Sequence, residues 1–327
     1  MRAIWYESQG EADEVLTLGE IEEPSPGEGE VAVYVKASGI NPSDVKQRAG
    51  LRGPMTVAQK IPHADGAGVI KSVGPGVDPS RIGERVWMFN AGTEGRGGTC
   101  AEVCVIPTEF AVPLADEDDF ETGAALGIPA ITAHRGMFCA GPVTGKTVLV
   151  TGGAGAVGLQ AIQLARWGGA KQVIATVSSP EKAKIAWDAG AHEVINYKTQ
   201  DVVDAIGAAS EGEGVHHIVE VELGGNLETS LAVLRDHGSI AYYGSEGNRN
   251  PSLDAYPMMF KNISIQSIFM YTLTPEQRAL AVSDVSRALN EGRLRPRIDR
   301  VFEMEEVAEA HKRVEAGEKM GAVIVRP

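Results

Sequence analysis

The glycines from Gly153 to Gly158 carry the plainest chemical signal in this chain. They follow the apolar segment TVLV and lead directly into AVGLQAIQLARW, which has helical spacing. In such a loop Gly153 permits a tight turn, Gly155 lets the backbone approach a pyrophosphate, and Gly158 lets the helix pack closely on the strand. The helix N-terminus supplies free N–H groups for the anion. The spacing predicts a dinucleotide site; the alternative is a tight strand-to-helix turn that binds nothing.

The end of the next predicted strand, QVIATV, bears on which dinucleotide is bound. An NAD site usually has an acid about 20 residues beyond the glycines, where it binds the ribose hydroxyls. This chain has Ser178 there, and Lys182 follows at the start of the next helix. A hydroxyl tolerates a 2′-phosphate and a lysine can pair with it, which favours NADPH. Glu181 is an acid that could instead bind the ribose, but Pro180 places it in the first turn of the helix. The alternative for Lys182 is a solvated lysine on the surface.

The composition sets limits on the class of protein. The 327 residues suffice for about two domains, and 44 acidic against 30 basic residues give a net charge of −14. Such a charge disfavours nucleic acid as a partner. No apolar run reaches the length of a membrane helix, so no membrane partner is expected. Three cysteines, Cys100, Cys104 and Cys139, cannot form a disulfide framework, which predicts a cytoplasmic protein.

The elements that would position these residues fall into two groups. The first 120 or so residues read as short strands between Gly and Pro turns, which suggests a partly closed β-barrel. From Lys146 to Gln266, apolar strands alternate with helical segments, which indicates a parallel sheet covered on both faces. The expected class is therefore α/β. The strands expected in the first part are Arg2 to Tyr6, Val31 to Ala37, Gly68 to Val73, Arg85 to Phe89, Ala101 to Ile106 and Ala111 to Val112.

Several long segments together resemble one protein family. They include SGINPSDVKQRAG, IPHADGAGVIKSVGPGV, AALGIPAITAHRGMF, the glycine loop and the closing EEVAEAHKRVEAGEKMGAVIV. From end to end the chain is similar to the zeta-crystallin-like NADPH:quinone oxidoreductases, the zinc-independent branch of the medium-chain dehydrogenase/reductase superfamily. The resemblance implies a GroES-like barrel over 1–122 and 268–327, a Rossmann domain over 123–267, and an active site between them. It also implies a homodimer or homotetramer paired through the edges of the Rossmann sheets.

The resemblance also assigns roles to individual residues. Asn41 and Thr132 match positions beside the nicotinamide. Further positions match contacts to the rest of the cofactor, namely the pyrophosphate amides of Ala156 and Val157, the adenosine phosphate and ribose partners Lys182 and Tyr197, and the loop residues Gly244 and Ser245. Tyr197 as a packed strand-end aromatic, and Asn41 as a turn residue before a proline, are the structural alternatives.

The metal ligands of the zinc-dependent branch have no counterpart here. Asn41 stands at the first cysteine position and Ala64 at the histidine position, with His63 one place earlier. A dehydrogenase that uses zinc needs such ligands to stabilise an alkoxide. We therefore expect no metal, and we expect Asp65 to hold the turn or an arginine such as Arg48.

A departure from the family pattern concerns the acceptor. Lys46 and Arg52 stand where the family often has tyrosines, and two cations suit an acceptor with a carboxylate, a phosphate or a thioester-linked phosphopantetheine. The alternative is that Lys46 and Arg52 both point to solvent and do not contact the acceptor. Lys46 is also the one plausible proton donor by residue type. The expected function is hydride transfer from NADPH to a quinone or α,β-unsaturated carbonyl; the alternatives are an enoyl-thioester or enone reductase with an anionic substrate, and a non-catalytic nucleotide-binding protein.

Overall fold

The computed structural model describes residues 1–93 and 97–327. These residues form two compact units, one of 1–129 with 296–327 and one of 130–295. The strands are β1 (Arg2–Trp5), β2 (Thr17–Glu20), β3 (Glu30–Ile40), β4 (Asp65–Val73), β5 (Arg85–Met88), β6 (Val103–Pro107), β7 (Ala111–Pro113), β8 (Thr147–Val150), β9 (Gln172–Val177), β10 (Glu193–Asn196), β11 (Val215–Glu220), β12 (Leu234–Tyr242), β13 (Ser264–Ser267), β14 (Ile298–Glu303) and β15 (Ala322–Arg326).

The helices vary from one turn to more than four. They are α1 (Ala12–Val15), α2 (Pro42–Arg48), α3 (Phe120–Ala124), α4 (Gly127–Phe138), α5 (Ala156–Trp167), α6 (Pro180–Asp188), α7 (Val202–Ala209), α8 (Leu223–Val233), α9 (Ala255–Phe260), α10 (Pro275–Asn290) and α11 (Val307–Glu315). Across the described residues, none of these helices is both long and apolar enough to cross a membrane.

The first unit is built around the long strand β3. Its sheet has the order β14-β15-β3-β4-β5-β7, and β6 also pairs with β3. β3 has the two-residue alternation of a strand with one buried face, because Val33 and Val35 are buried while Tyr34 and Lys36 are exposed. The last strand pairs antiparallel with β3, with Val323 opposite Ile40, so the C-terminal segment completes the sheet of the N-terminal unit.

The second unit is a six-stranded sheet in the order β10-β9-β8-β11-β12-β13. Every strand pair in it is parallel. The central strands β8, β9 and β11 are almost wholly buried and rich in Val and Ile, as expected when helices cover both faces. A GroES-like unit and a doubly wound parallel sheet confirm the predicted fold class.

The boundaries between the units differ from those expected. Residues 268–295 group with the Rossmann unit, not with the GroES-like unit, and 123–129 group with the GroES-like unit. The reason is visible in α10, whose Ala281 and Val285 are buried, and whose C-terminal end is bonded to α5. Trp167 Nε1 donates to Glu291 at 2.8 Å and Arg295 N donates to Gln163 Oε1 at 2.7 Å.

Candidate active site

The turn between β8 and α5 has its left-handed residue one place earlier than expected. Gly152 has φ 65°, whereas Gly153 does not have a positive φ. The tight turn assigned to Gly153 is therefore made by Gly152. Gly153 is needed for a different reason, because a Cβ there would lie 2.8 Å from the Cβ of Ala175 on β9. Its role is close packing on the neighbouring strand.

The other two glycines of the motif occupy contrasting surroundings. A Cβ on Gly158 would collide with the Gly152 carbonyl oxygen, so α5 packs against the loop as the motif requires. A Cβ on Gly155 would meet only that same oxygen, at 3.4 Å. Gly155 is the N-cap of α5, and the first-turn N–H groups, those of Ala156 and Val157 included, have no partner within a helix. An open space at the head of a helix fits a pyrophosphate.

The residues expected around the adenosine end follow the next two strands. Ser178 comes directly after β9 and Tyr197 directly after β10, so both lie at the carboxyl edge of the sheet with the glycine loop. Tyr197 is 51% exposed, which disagrees with the packed-aromatic alternative. Ser179 caps α6 by accepting the Lys182 N–H at 3.3 Å. The hydrogen bond from the Ser179 side chain lowers the pKa of exposed Glu181, so this acid belongs to the helix cap.

The loop after β12 is tied to the start of α8. Ser245 Oγ accepts the Gly224 N–H at 3.0 Å and donates its single proton to the Asn248 carbonyl at 2.6 Å. The Ser245 hydroxyl is thus engaged within its own loop. A Cβ on Gly244 would collide with the Val221 carbonyl oxygen, so the loop depends on a glycine for its close approach to β11.

Sequence reasoning missed the buried carboxylate of Glu220 at the end of β11. It accepts hydrogen bonds from Thr151 Oγ1 at 2.7 Å, Glu222 N at 2.8 Å, Asn226 Nδ2 at 2.9 Å and Ser230 Oγ at 3.0 Å. These bonds join the ends of β8 and β11 to α8, beneath the glycine loop. The signal was present as an acid inside the apolar run HHIVEV.

In the first unit, Asn41 stands between β3 and α2 and is only 5% exposed. Its backbone N–H donates to Asp44 Oδ2 at 2.7 Å, and its side-chain Nδ2 donates to Asp65 Oδ2, also at 2.7 Å. The Ile128 N–H at the start of α4 donates to both oxygens of the Asp65 carboxylate, at 3.0 and 2.9 Å. Asn41 is therefore held in one orientation, which a simple turn residue would not need.

The partner expected for Asp65 was partly wrong. Arg48 bonds the Gly10 carbonyl and the Glu315 carboxylate, whereas Asp65 holds Asn41. Burial raises the pKa of Asp65 well above its usual value, and the Asn41 hydrogen bond opposes that rise. Burial also raises the pKa of Asp44 to about 7, although the hydrogen bond from the Asn41 N–H opposes this rise. Two carboxyl groups of altered pKa thus flank the same asparagine.

The remaining predicted residues are distributed between the two units. Lys46 is half-buried on α2, and Arg52 is exposed in the turn that follows this helix. The exposure of Arg52 fits the solvent-facing alternative, and the role of Lys46 stays a prediction. Thr132 lies on α4 in the second unit and is 6% exposed.

The positions where a zinc site would lie are filled by other contacts. Among residues 1–93 and 97–327, no group of three or more His, Cys, Asp or Glu side chains is placed to hold a metal ion. His63 Nδ1 bonds Ser38 Oγ at 2.8 Å, and His63 Nε2 bonds His311 Nε2 at 2.9 Å. The three cysteines are free thiols, and burial raises the pKa of Cys104 to about 12.

A GroES-like unit joined to a Rossmann unit with this glycine loop defines a medium-chain dehydrogenase/reductase. The sequence matches the zinc-binding dehydrogenase family over 156–287 and the alcohol dehydrogenase GroES-like domain over 27–116. It is 32% identical to the quinone oxidoreductase of Rattus norvegicus, over 99% of this chain and 97% of the relative. The chain belongs to the quinone oxidoreductase family of that superfamily and is an oxidoreductase, as predicted.

Two solved structures resemble the whole chain. Escherichia coli quinone oxidoreductase in complex with NADPH is 25% identical with a TM-score of 0.87, covering 100% of both chains. A protein described as an NAD-dependent alcohol dehydrogenase is 28% identical with a TM-score of 0.90, again covering 100% of both chains. The fold is therefore shared by relatives that use different cofactors and substrates, and the choice between them depends on residues of this chain.

Proposed function

We propose that this oxidoreductase transfers a hydride from NADPH, its cofactor, to an electrophilic acceptor, a quinone or an α,β-unsaturated carbonyl compound, without a zinc ion. The observation that carries the proposal is the open space at Gly155, at the head of α5, where a pyrophosphate fits and where a side chain would take its place. The NADPH complex of the Escherichia coli relative supports the same cofactor.

NADPH rather than NADH is proposed from the residues after β9. The strand is followed by Ser178, and no acid stands there to bind a 2′-hydroxyl and repel a 2′-phosphate. The exposed acid Glu181 bonds the Ser179 side chain instead. Lys182 is half-buried on the first turn of α6 and supplies a positive charge at this edge of the sheet.

Independence from zinc is proposed from residue types. Asn41 and Ala64 occupy the positions of a cysteine and a histidine ligand, and an amide or a methyl group does not bind zinc as a thiolate or imidazole does. His63 has both ring nitrogens bonded within the unit. Without that Lewis acid, oxidation of an alcohol is disfavoured, whereas reduction of an acceptor that is already electrophilic is not.

The chain contributes to the reaction by holding NADPH and the acceptor in the geometry for hydride transfer. NADPH supplies the hydride when it is bound, with the glycine loop, Ser178 and Lys182 holding its phosphates. Asn41 is fixed by Asp65 and Asp44, so its amide is preorganised to orient the nicotinamide end. Holding two reactants in the reacting geometry lowers the barrier substantially without an additional catalytic group. Thr132 is assigned to the same end of the cofactor, and hydrogen bonds that polarise the acceptor carbonyl would complete the site.

The acceptor class is proposed from Lys46 and Arg52. Where the family often has tyrosines, this chain has a half-buried lysine on α2 and an exposed arginine in the turn after it. An acceptor that carries a negative group, such as an enoyl thioester with its phosphates, gains a favourable interaction there. This observation keeps the anionic double-bond reductase as the second candidate.

We also propose a homodimer or homotetramer assembled through β13. This strand stands at one end of the Rossmann sheet, and α9 beside it exposes Tyr256 (66%), Met259 (59%) and Phe260 (73%). An unpaired strand edge next to apolar side chains is suited to a second copy of the chain. The free cysteines support a cytoplasmic location. The acidic balance argues against nucleic acid as a partner.

The test of the acceptor class compares 1,2-naphthoquinone with its 4-sulfonate in steady-state oxidation of NADPH. We expect the sulfonate to have the higher kcat/KM, with a preference that weakens as salt is raised. The double variant Lys46→Tyr/Arg52→Tyr should move the preference towards the neutral quinone by offering stacking surfaces. Lys36→Tyr, at an exposed lysine on β3, is the control.

Equal ratios in the parent and the double variant would contradict the anionic acceptor. No oxidation of NADPH with any quinone, enal or enoyl thioester would instead favour a non-catalytic nucleotide-binding protein.

A further inference from the structure

A chain of buried hydrogen bonds runs from the C-terminal helix α11 to the main chain of Asp65, the residue whose carboxylate holds Asn41. His311 Nε2 lies 2.9 Å from His63 Nε2, and His63 Nδ1 lies 2.8 Å from Ser38 Oγ. Ser38 Oγ lies 2.7 Å from Thr99 Oγ1, which donates to the main-chain carbonyl of Asp65 at 2.5 Å. All five residues are at most 2% exposed, so water does not compete for these bonds.

The direction of every bond follows from the number of protons. Burial lowers the pKa of His63 well below its usual value and that of His311 to about 3, so each imidazole is neutral and has one ring proton. Each hydroxyl has one more, and these protons must serve one contact each. The Asp65 carbonyl only accepts, so Thr99 donates to it and Ser38 donates to Thr99. His63 Nδ1–H then donates to Ser38.

The same count of protons also gives the protonation state of His311 Nδ1, a buried atom without a partner in the described part of the chain. With its proton on Nδ1, His63 must accept at Nε2, so His311 donates from Nε2 and retains an unprotonated Nδ1. That His311 Nδ1 is buried and has no hydrogen-bond partner among residues 1–93 and 97–327. The proton arrangement is therefore consistent with all four contacts, and it makes the unpartnered atom an acceptor rather than a donor.

His63 has a positive φ, a backbone conformation that is uncommon for residues other than glycine. Its φ is 72°, in the left-handed region where glycine is preferred. Such a conformation persists when the surrounding contacts determine it. Here both ring nitrogens are bonded and the ring packs against His311 with centroids 5.1 Å apart.

The bonded chain ends at the residue that orients Asn41. Thr99 fixes the main chain of Asp65, and the Asp65 carboxylate accepts the Asn41 amide at 2.7 Å. We propose that His63 is a positioning residue for hydride transfer, which acts through Ser38, Thr99 and Asp65 to hold the Asn41 amide in its working orientation. This inference rests on the proposed function, since it takes Asn41 to contact the nicotinamide end of NADPH.

A double-mutant cycle between His63 and Asn41 tests the proposal. His63→Gly keeps a residue that favours positive φ and deletes the ring. We expect it to lower kcat/KM about tenfold with NADPH and a quinone, mostly through kcat. In the Asn41→Ala background the same change should have less than about a twofold effect, because the group it positions is absent.

Two further variants separate positioning from general stability. Ser38→Ala breaks the bonded chain in its middle and should show the same dependence on Asn41. His237→Gly is the matched control, because His237 is an exposed histidine that also has positive φ, at 59°, and it should leave kcat and KM unchanged.

The outcomes discriminate between the two claims. Equal factors in the parent and Asn41→Ala backgrounds, in a protein that oxidises NADPH, would overturn the positioning role and leave the proposed function intact. A parent protein that does not oxidise NADPH would overturn the proposed function and this inference with it.

Discussion

At the scale of single residues, the loop before α5 shows how space decides what a glycine does. Gly152 supplies the positive φ, Gly153 and Gly158 allow close packing, and Gly155 alone faces open space. The motif identifies the glycines but not the role of each one. Which glycine has the positive φ depends on where β8 ends. Only the open position is available to a ligand.

Gly155→Val should therefore abolish NADPH binding without unfolding the chain. The added side chain would fill the space of the pyrophosphate, while the φ of this residue, −77°, is accessible to valine. Binding is measured by NADPH fluorescence titration and folding by thermal denaturation. Gly207→Val is the matched control, because nothing lies within 4 Å of a Cβ at Gly207 on α7. Normal NADPH affinity in Gly155→Val would mean that the loop is structural only.

The contacts that orient the site were beyond reach of the sequence. The sequence supports Asn41 through a resemblance, but its partner Asp65 is 24 residues away and was expected to hold the turn or an arginine such as Arg48. His63 and His311 are 248 residues apart and meet only because β15 returns to β3. Pairings of this kind depend on topology, and local spacing carries no information about them.

At the scale of elements, periodicity worked best in the Rossmann unit. The strands TVLV and QVIATV and the helix AVGLQAIQLARW have the predicted bounds, because buried parallel strands and their helices have unambiguous patterns. The short helix α2 was not anticipated, since a helix of only seven residues that begins with a proline, with Asn41 as its N-cap, leaves little periodic signal. β12 begins at Leu234, and its pairing with β11 has a register shift after Val215.

The edge strand β13 supplies a prediction at this scale. Light scattering should give at least twice the 34.6 kDa chain mass for the parent protein. Phe260→Asp on α9 should shift the mass towards the monomer, because a charge would replace a ring that is 73% exposed in the single chain. Leu280→Asp, at an exposed leucine on α10, should leave the mass unchanged. A monomeric parent protein would contradict assembly through this edge.

At the scale of the whole molecule, the two-unit organisation was predictable and its boundaries were not. The change from short strands to alternating strands and helices marked the transition near residue 121, and the division falls at 129. The second boundary was expected at 268 and falls at 295, because α10 packs within the Rossmann unit. The spacing of apolar residues identifies an amphipathic helix but not the surface that it covers.

The central claim is hydride transfer that depends on NADPH and does not depend on zinc. The most direct test is the ratio of kcat/KM for NADPH and NADH with one quinone, on protein dialysed against a chelator. One charge-assisted hydrogen bond to the 2′-phosphate contributes roughly 1.5 to 3 kcal/mol, so the ratio should be at least about 10. The ratio should be the same before and after chelation. Equal efficiency with both cofactors, or activity lost on chelation and restored by one zinc per chain, would contradict the account.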